Sequence, residues 1–222
     1  METPRFPSQS AALVLPGPAG ALEVAVDLPE EDVAARPLVA IVCHPLPTEG
    51  GTMHNKVVTM AGRALRELGA TTVRFNFRGT GQSEGEFDGG EGELDDLRAV
   101  AAWVRAERPE HALWLAGFSF GAYVSLRAAA GLQPGMLISI APPAGRWDFD
   151  EIELPACPWL VIQGEADEIV DPQAVYDWLE SAKAQAELVR MPDTSHFFHR
   201  KLMDLRGAIK NGVRQYLPAA DG

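Results

Sequence analysis

The segment that most constrains the fold is an apolar run that stops abruptly at the pentapeptide Gly-Phe-Ser-Phe-Gly, residues 117–121. Residues 112–116 have the length and composition of a buried parallel strand, and residues 122–130 are rich in helix formers. The pentapeptide therefore lies at a predicted strand-to-helix turn. Such a tight turn leaves no room for side chains beside it and holds Ser119 in a strained backbone conformation that lifts its hydroxyl into a cleft. Ser119 is therefore the candidate nucleophile, although a serine between small residues can also be a plain turn residue.

The rest of the chain alternates between predicted strands and helices. The strands are predicted at 11–15, 21–28, 38–43, 71–77, 112–116, 136–140, 158–163 and 186–191. The helices are predicted at 55–68, 93–107, 122–130, 172–183 and 199–216. The first two strands form an antiparallel hairpin at the edge, and the alternation that follows is typical of a mostly parallel sheet of about eight strands with helices on both faces. We expect a single domain over residues 1–222.

Composition and charge exclude several classes of partner. The chain has 19 basic and 31 acidic residues, a formal net charge of -12, and no basic run that could follow a phosphate backbone, so nucleic acid is not an expected partner. No signal peptide is visible, and no apolar run approaches the roughly 18 residues that span a bilayer, so we expect a cytoplasmic location without membrane contact. Cys43 and Cys157 lie in or beside apolar strands and are expected to be free core thiols.

Two further loops carry residues that could activate a serine. Asp167 comes three residues after the strand predicted at 158–163, and His196 follows the strand predicted at 186–191. A serine hydroxyl is a poor nucleophile until a histidine accepts its proton, and that histidine needs a carboxylate on its other ring nitrogen. Because such loops meet at one edge of the sheet, Ser119, Asp167 and His196 can come together.

Neighbouring residues offer alternatives for the last two positions. The loop of Asp167 also contains Glu165, Glu168 and Asp171, each of which could be solvated or could replace Asp167. The loop of His196 holds a further acid, Asp193, and a second histidine, His199. His199 is expected to begin the final helix.

Several motifs together resemble the serine-type α/β-hydrolases. They are GFSFG, GEADEIV, the SHFF around His196 and NFRGTGQSEG, while HPLPTEGGTMHNKVV at 44–58 is similar to the opening of a group of small bacterial hydrolases that lack a lid. The resemblance implies an α/β-hydrolase fold without a lid domain, a catalytic triad of Ser119, Asp167 and His196, and esterase-like or related acyl hydrolysis.

The resemblance also implies an oxyanion hole built from two backbone N–H groups. One belongs to the residue after the nucleophile, Phe120, and the other to the loop after the third strand. In that loop Pro45 and Pro47 carry no N–H, which makes Leu46 the expected second donor.

Other candidate residues have simpler explanations. His44, Glu49 and His54 do not have the spacing of a metal site, so we expect no metal or other cofactor. The acidic residues at 88–96 are explained by a helix N-terminus. Trp147 and Phe149 are candidates for lining an acyl pocket, with packing of their loop onto the body as the alternative.

The loop at 142–155 is too short for a helical cap domain, which predicts an open cleft. The leading hypothesis is therefore a carboxylesterase acting on a small-molecule acyl substrate. The alternatives are a peptidase, amidase or thioesterase with the same triad, or a non-catalytic binding protein of the same fold.

Overall fold

A computed structural model describes residues 1–220 and contains one eight-stranded sheet. The strands are β1 Ala11–Gly17, β2 Gly20–Asp27, β3 Leu38–Cys43, β4 Thr71–Phe75, β5 Ala112–Phe118, β6 Met136–Ile140, β7 Trp159–Gly164 and β8 Glu187–Met191. Their order is β1-β2-β4-β3-β5-β6-β7-β8. Strand β2 pairs antiparallel with β1 and β4, and every other pairing is parallel, which confirms the predicted sheet and its antiparallel edge.

Five α-helices within the described residues cover the two faces of this sheet. They are α1 Lys56–Arg66, α2 Glu91–Glu107, α3 Phe120–Leu132, α4 Pro172–Ser181 and α5 Leu202–Val213. Helices α1 and α5 pack on one face, and the other three helices pack on the opposite face. All six residues of β3 are buried, because its alternate side chains enter the two apolar layers. None of the helices in residues 1–220 is long and apolar enough to cross a membrane.

The start of the last helix differs from the sequence prediction. Helix α5 begins at Leu202 rather than at residue 199, because Phe198 and Arg200 have positive φ angles of 54° and 58°. A left-handed backbone cannot continue an α-helix, so His199 lies in a turn before α5. The prediction that His199 begins the final helix is therefore wrong.

The acidic residues at the start of α2 accept backbone hydrogen bonds and form one buried ion pair. Glu93 is buried and accepts hydrogen bonds from the N–H groups of Asp88 and Gly90, each at 2.8 Å, as expected of an acid at a helix N-terminus. Asp96 is fully buried and pairs with the guanidinium of Arg78 at 2.8 Å, which ties the loop after β4 to α2.

Candidate active site

Ser119 lies at a strained turn between β5 and α3. Its φ and ψ are 53° and -119°, a region that a residue with a side chain rarely adopts. A Cβ atom on Gly117 would lie 2.1 Å from the carbonyl oxygen of Gly121, and one on Gly121 would lie 2.2 Å from the carbonyl oxygen of Cys43. Both positions therefore need glycine, because any Cβ atom would collide with neighbouring backbone. The half-buried Ser119 side chain lines a cleft.

The structure brings the three predicted side chains together. His196 Nε2 lies 3.1 Å from Ser119 Oγ, and His196 Nδ1 lies 2.7 Å from Asp167 Oδ2. Both His196 and Asp167 are buried, at 2% and 8% exposure. A carboxylate only accepts, so Nδ1 carries the proton and Nε2 is free to accept the serine proton. The arrangement can therefore generate a nucleophilic alkoxide at Ser119.

The Asp167 carboxylate is held by three hydrogen bonds besides the one from His196. The N–H groups of Ile169 and Val170 donate to Oδ1 at 2.9 and 2.7 Å, and Gln163 Nε2 donates to Oδ2 at 3.1 Å. Burial works to raise the pKa of Asp167, but the hydrogen bond and electrostatic interaction with His196 and the two backbone donors outweigh it and leave the pKa lowered. Asp167 is therefore ionised at neutral pH.

Sequence reasoning missed Gln163 as a partner of this carboxylate. Its only signal was a polar residue at the end of the apolar strand predicted at 158–163. The side chain is fully buried, and its Nε2 also donates to the carbonyl of Gly164 at 3.0 Å. Gln163 thus fixes the orientation of Asp167 from the strand beneath it.

The alternative acids have other positions. Asp171 caps α4 by accepting from the N–H of Gln173 at 3.0 Å, and Glu165 is exposed. Glu168 is also exposed, but its Oε2 accepts from the backbone N–H of His196 at 3.1 Å. The sequence left Glu168 open as a solvated loop acid or a replacement for Asp167, whereas it links the loops that carry Asp167 and His196.

His44 supports the loop after β3 from a fully buried position. Its Nδ1 lies 2.7 Å from the carbonyl oxygen of Pro45, and its Nε2 accepts from the N–H of Phe77 at 3.0 Å. These partners require a neutral ring with the proton on Nδ1. Burial lowers the pKa of His44 to about 4, with the hydrogen bond to Pro45 opposing the shift. Both ring nitrogens are thus engaged with the backbone rather than with a metal.

The loop held by His44 contains Leu46, which lines the cleft. A peptide group is planar and trans, so the carbonyl of Pro45 and the N–H of Leu46 point in opposite directions. The carbonyl of Leu46 accepts from the N–H of Gly51 at 3.0 Å, which closes the loop. Outside the regular helices and strands of residues 1–220, no hydrogen bond is donated by the N–H of Leu46 or of Phe120. Leu46 and Phe120 both line the cleft, where these donors can serve an oxyanion.

The cleft has a volume of about 480 Å³. One wall carries the exposed side chains of Ile169 and Phe197, and charged groups are provided by Glu49, Arg146 and Glu168. Trp147 lines the cleft as predicted and packs on Phe120 with ring centroids 5.1 Å apart. Phe149 does not line it, because its ring is buried between Tyr123 and Trp178 at centroid distances of 5.5 and 4.8 Å. Phe149 therefore packs its loop onto the body, which was the alternative to lining the pocket.

The connection between β6 and β7 leaves the cleft uncapped. Residues 141–158 contain no helix and no strand apart from an isolated bridge between Ala144 and Trp147. The guanidinium of Arg146 donates to the carbonyl of Ile169 at 2.9 Å, which joins this connection to the loop after β7.

The fold and the geometry at Ser119 define a serine hydrolase of the α/β-hydrolase class. Residues 22–155 match the X-Pro dipeptidyl-peptidase (S15) family, and the chain belongs to this family. The matched range includes Ser119 and ends before Asp167 and His196.

Individual relatives and solved structures are similar to the chain over most of its length. An uncharacterized protein of Rickettsia prowazekii is 32% identical over 183 residues, covering 78% of this chain and 77% of its own. A solved α/β serine hydrolase without lid from Xanthomonas campestris is 74% identical, with a TM-score of 0.96 and coverage of 99% and 100% of the two chains. An α/β serine hydrolase homologue from Coxiella burnetii is 42% identical, with a TM-score of 0.90 and coverage of 94% and 99%.

The neutral state of His44 makes stability depend on pH. The unfolded chain takes up a proton on His44 near pH 6.5 and the folded protein only near pH 4, so stability is lost as the pH falls through this window. His44→Asn retains an N–H donor for the Pro45 carbonyl and has no titrating group. We expect wild type to lose about 2 kcal/mol more unfolding free energy than His44→Asn between about pH 8 and about pH 5. Urea unfolding at both pH values measures this, and equal losses in the two proteins would contradict it.

Proposed function

We propose that the protein cleaves small carboxylic esters through an acyl-enzyme at Ser119. The observation that carries the proposal is the continuous chain of contacts from Ser119 Oγ through His196 to Asp167, at 3.1 and 2.7 Å. Three loops from different strands supply these groups, and their agreement in geometry favours a catalytic role over a turn serine with chance neighbours.

In the proposed mechanism, Ser119 Oγ attacks the ester carbonyl carbon while His196 Nε2 accepts the hydroxyl proton. The ionised Asp167 stabilises the resulting imidazolium through its contact with Nδ1. The negative charge that develops on the carbonyl oxygen is stabilised by the N–H groups of Leu46 and Phe120. The tetrahedral intermediate then expels the alcohol, which takes the proton from His196 Nε2, and water attacks the acyl-enzyme by the same route to release the acid and restore Ser119.

The shape of the cleft supports small and accessible substrates. Its apolar wall includes Ile169 and Phe197, which are 37% and 47% exposed, and no element of residues 141–158 forms a cap over it. Such a surface can contact a short acyl or alcohol group but cannot enclose a long chain.

A peptidase is the second candidate, favoured by the match to the X-Pro dipeptidyl-peptidase family. The Glu49 and Glu168 carboxylates in the cleft could pair with the amino group of a peptide. A panel of matched esters, thioesters and amides, including aminoacyl-proline amides, separates the two. We expect kcat/KM to be at least about 100-fold higher for the esters because alkoxides leave more easily than amines. Faster turnover of the aminoacyl-proline amides would overturn the ester proposal.

A fluorophosphonate probe tests the nucleophile without knowledge of the substrate. We expect mass spectrometry to find the adduct on Ser119, and Ser119→Ala to lose both the adduct and about a thousandfold or more of ester hydrolysis. Ser195→Ala, next to His196 in sequence, is the matched control and should be labelled normally. Absence of the adduct from folded wild-type protein would favour the non-catalytic binding protein.

The role of Leu46 as an oxyanion donor can be tested by removing only its N–H. The φ and ψ of Leu46 are -53° and 118°, which suit a proline, and Leu46→Pro has no amide hydrogen. We expect kcat to fall about 100-fold in Leu46→Pro. Leu46→Ala removes the side chain but keeps the N–H, and its kcat should stay close to that of wild type. Similar kcat values in the two variants, with native circular dichroism, would assign the second donor elsewhere.

A further inference from the structure

A second depression adjoins the cleft on the far side of Phe197. Its volume is about 330 Å³, and it is formed where the start of α1 meets the turn before α5. It shares Asn55 and Phe197 with the cleft at Ser119. The remaining lining residues are Lys56, Val57, His199, Arg200 and Leu202. A substrate bound at Ser119 can therefore extend across the Phe197 ring into this depression.

The charged lining of the depression is entirely basic. Lys56 and Arg200 contribute to it, His199 lies beside them, and no aspartate or glutamate lines the depression. Within residues 1–220 none of these three side chains makes an ion pair or a hydrogen bond; Lys183 and Arg214 are likewise unpaired, but they do not line this depression. The basic groups of the depression are clustered and unpaired, although the chain has a net charge of -12. This arrangement favours an external anion as their partner.

We propose that this depression binds an anionic group, of the carboxylate class, carried by the substrate. The inference rests on the proposed function, since it assigns the charge of the ester that Ser119 attacks. Lys56 and Arg200 supply N–H donors that suit a carboxylate, and the exposed Phe197 ring supplies an apolar surface for the atoms between the anion and the ester.

The acids in the cleft determine how far the anion lies from the ester group. Glu49 and Glu168 outnumber Arg146 in the cleft and give it a net negative charge, while the basic depression attracts an anion placed beyond Phe197. The preferred ester therefore has its carboxylate separated from the ester carbonyl by an apolar spacer of several atoms.

Charge-matched substrates and variants test this inference. One pair of substrates carries the charge on the acyl side: mono-4-nitrophenyl adipate and the neutral 4-nitrophenyl hexanoate. The other pair carries it on the leaving group: the acetate ester of 3-(4-hydroxyphenyl)propanoate and that of the corresponding amide. The test variant is Lys56→Gln with Arg200→Gln, and the control is Lys183→Gln with Arg214→Gln, which changes the net charge equally away from the depression.

We expect the test variant to lose about tenfold in kcat/KM for at least one anionic ester and to stay within about twofold of wild type for its neutral partner. The control should stay within about twofold for all four esters. Added salt should lower the turnover of that anionic ester in wild type and much less in the test variant.

Two outcomes would overturn the inference. One is an unchanged ratio of anionic to neutral kcat/KM in the test variant for both substrate pairs. The other is an equal loss in the control, which would indicate attraction by net charge alone. If fluorophosphonate labels Ser119 and this selectivity is absent, only this inference fails; if Ser119 is not labelled and no ester is hydrolysed, the proposed function fails and this inference fails with it.

Discussion

Backbone atoms of three segments come into direct contact at the Ser119 turn. Gly117 faces the start of α3, and Gly121 faces the carbonyl of Cys43 at the end of β3, each too closely for a Cβ atom. The positive φ of Ser119 costs about 1–3 kcal/mol, which the packing of β5 and α3 into the core has to offset. Because the same contacts fix β3, they also set the start of the loop that presents Leu46. The nucleophile and both candidate oxyanion donors are thus positioned by one backbone arrangement.

Two buried ionisable groups, His44 and Asp167, hold the neighbouring loops of the site through hydrogen bonds to the backbone. His44 joins the loop after β3 to the end of β4, through the carbonyl of Pro45 and the N–H of Phe77. Asp167 joins the end of β7 to His196 and takes two N–H groups from its own loop. In each case hydrogen bonds select one protonation state, neutral for His44 and ionised for Asp167. The loops of the site are therefore ordered by groups whose charge does not change near neutral pH.

The sequence predicted the parts of the molecule that depend on periodicity and local spacing. The eight strands, the mostly parallel sheet and the convergence of Ser119, Asp167 and His196 follow from apolar runs and from loops at one edge of a sheet. Individual side-chain contacts at the site could not be predicted from the sequence. Glu168 acts between two loops, and Gln163 contacts Asp167 from the end of β7, and no local pattern encodes either contact.

The remaining differences between the sequence predictions and the structure lie in segments of irregular backbone. Residues 199–201 contain no glycine or proline, so the sequence gives no sign that positive φ angles at Phe198 and Arg200 delay α5. That turn places His199 in the basic depression instead of on the helix. Trp147 and Phe149 lie two residues apart in a loop without periodicity. Both rings contact Tyr123, but Trp147 also packs on Phe120 at the cleft, whereas Phe149 packs on Trp178 away from it.

The uncapped connection between β6 and β7 has a consequence for the lifetime of an acyl group on Ser119. Because no helix of residues 141–158 covers the cleft, solvent reaches the acyl carbonyl as soon as the alcohol departs. Enzymes that pass acyl groups to a second acceptor have to exclude water while the acceptor binds. Residues 141–158 provide no helix for that purpose, so the acyl-enzyme proposed at Ser119 is open to attack by water.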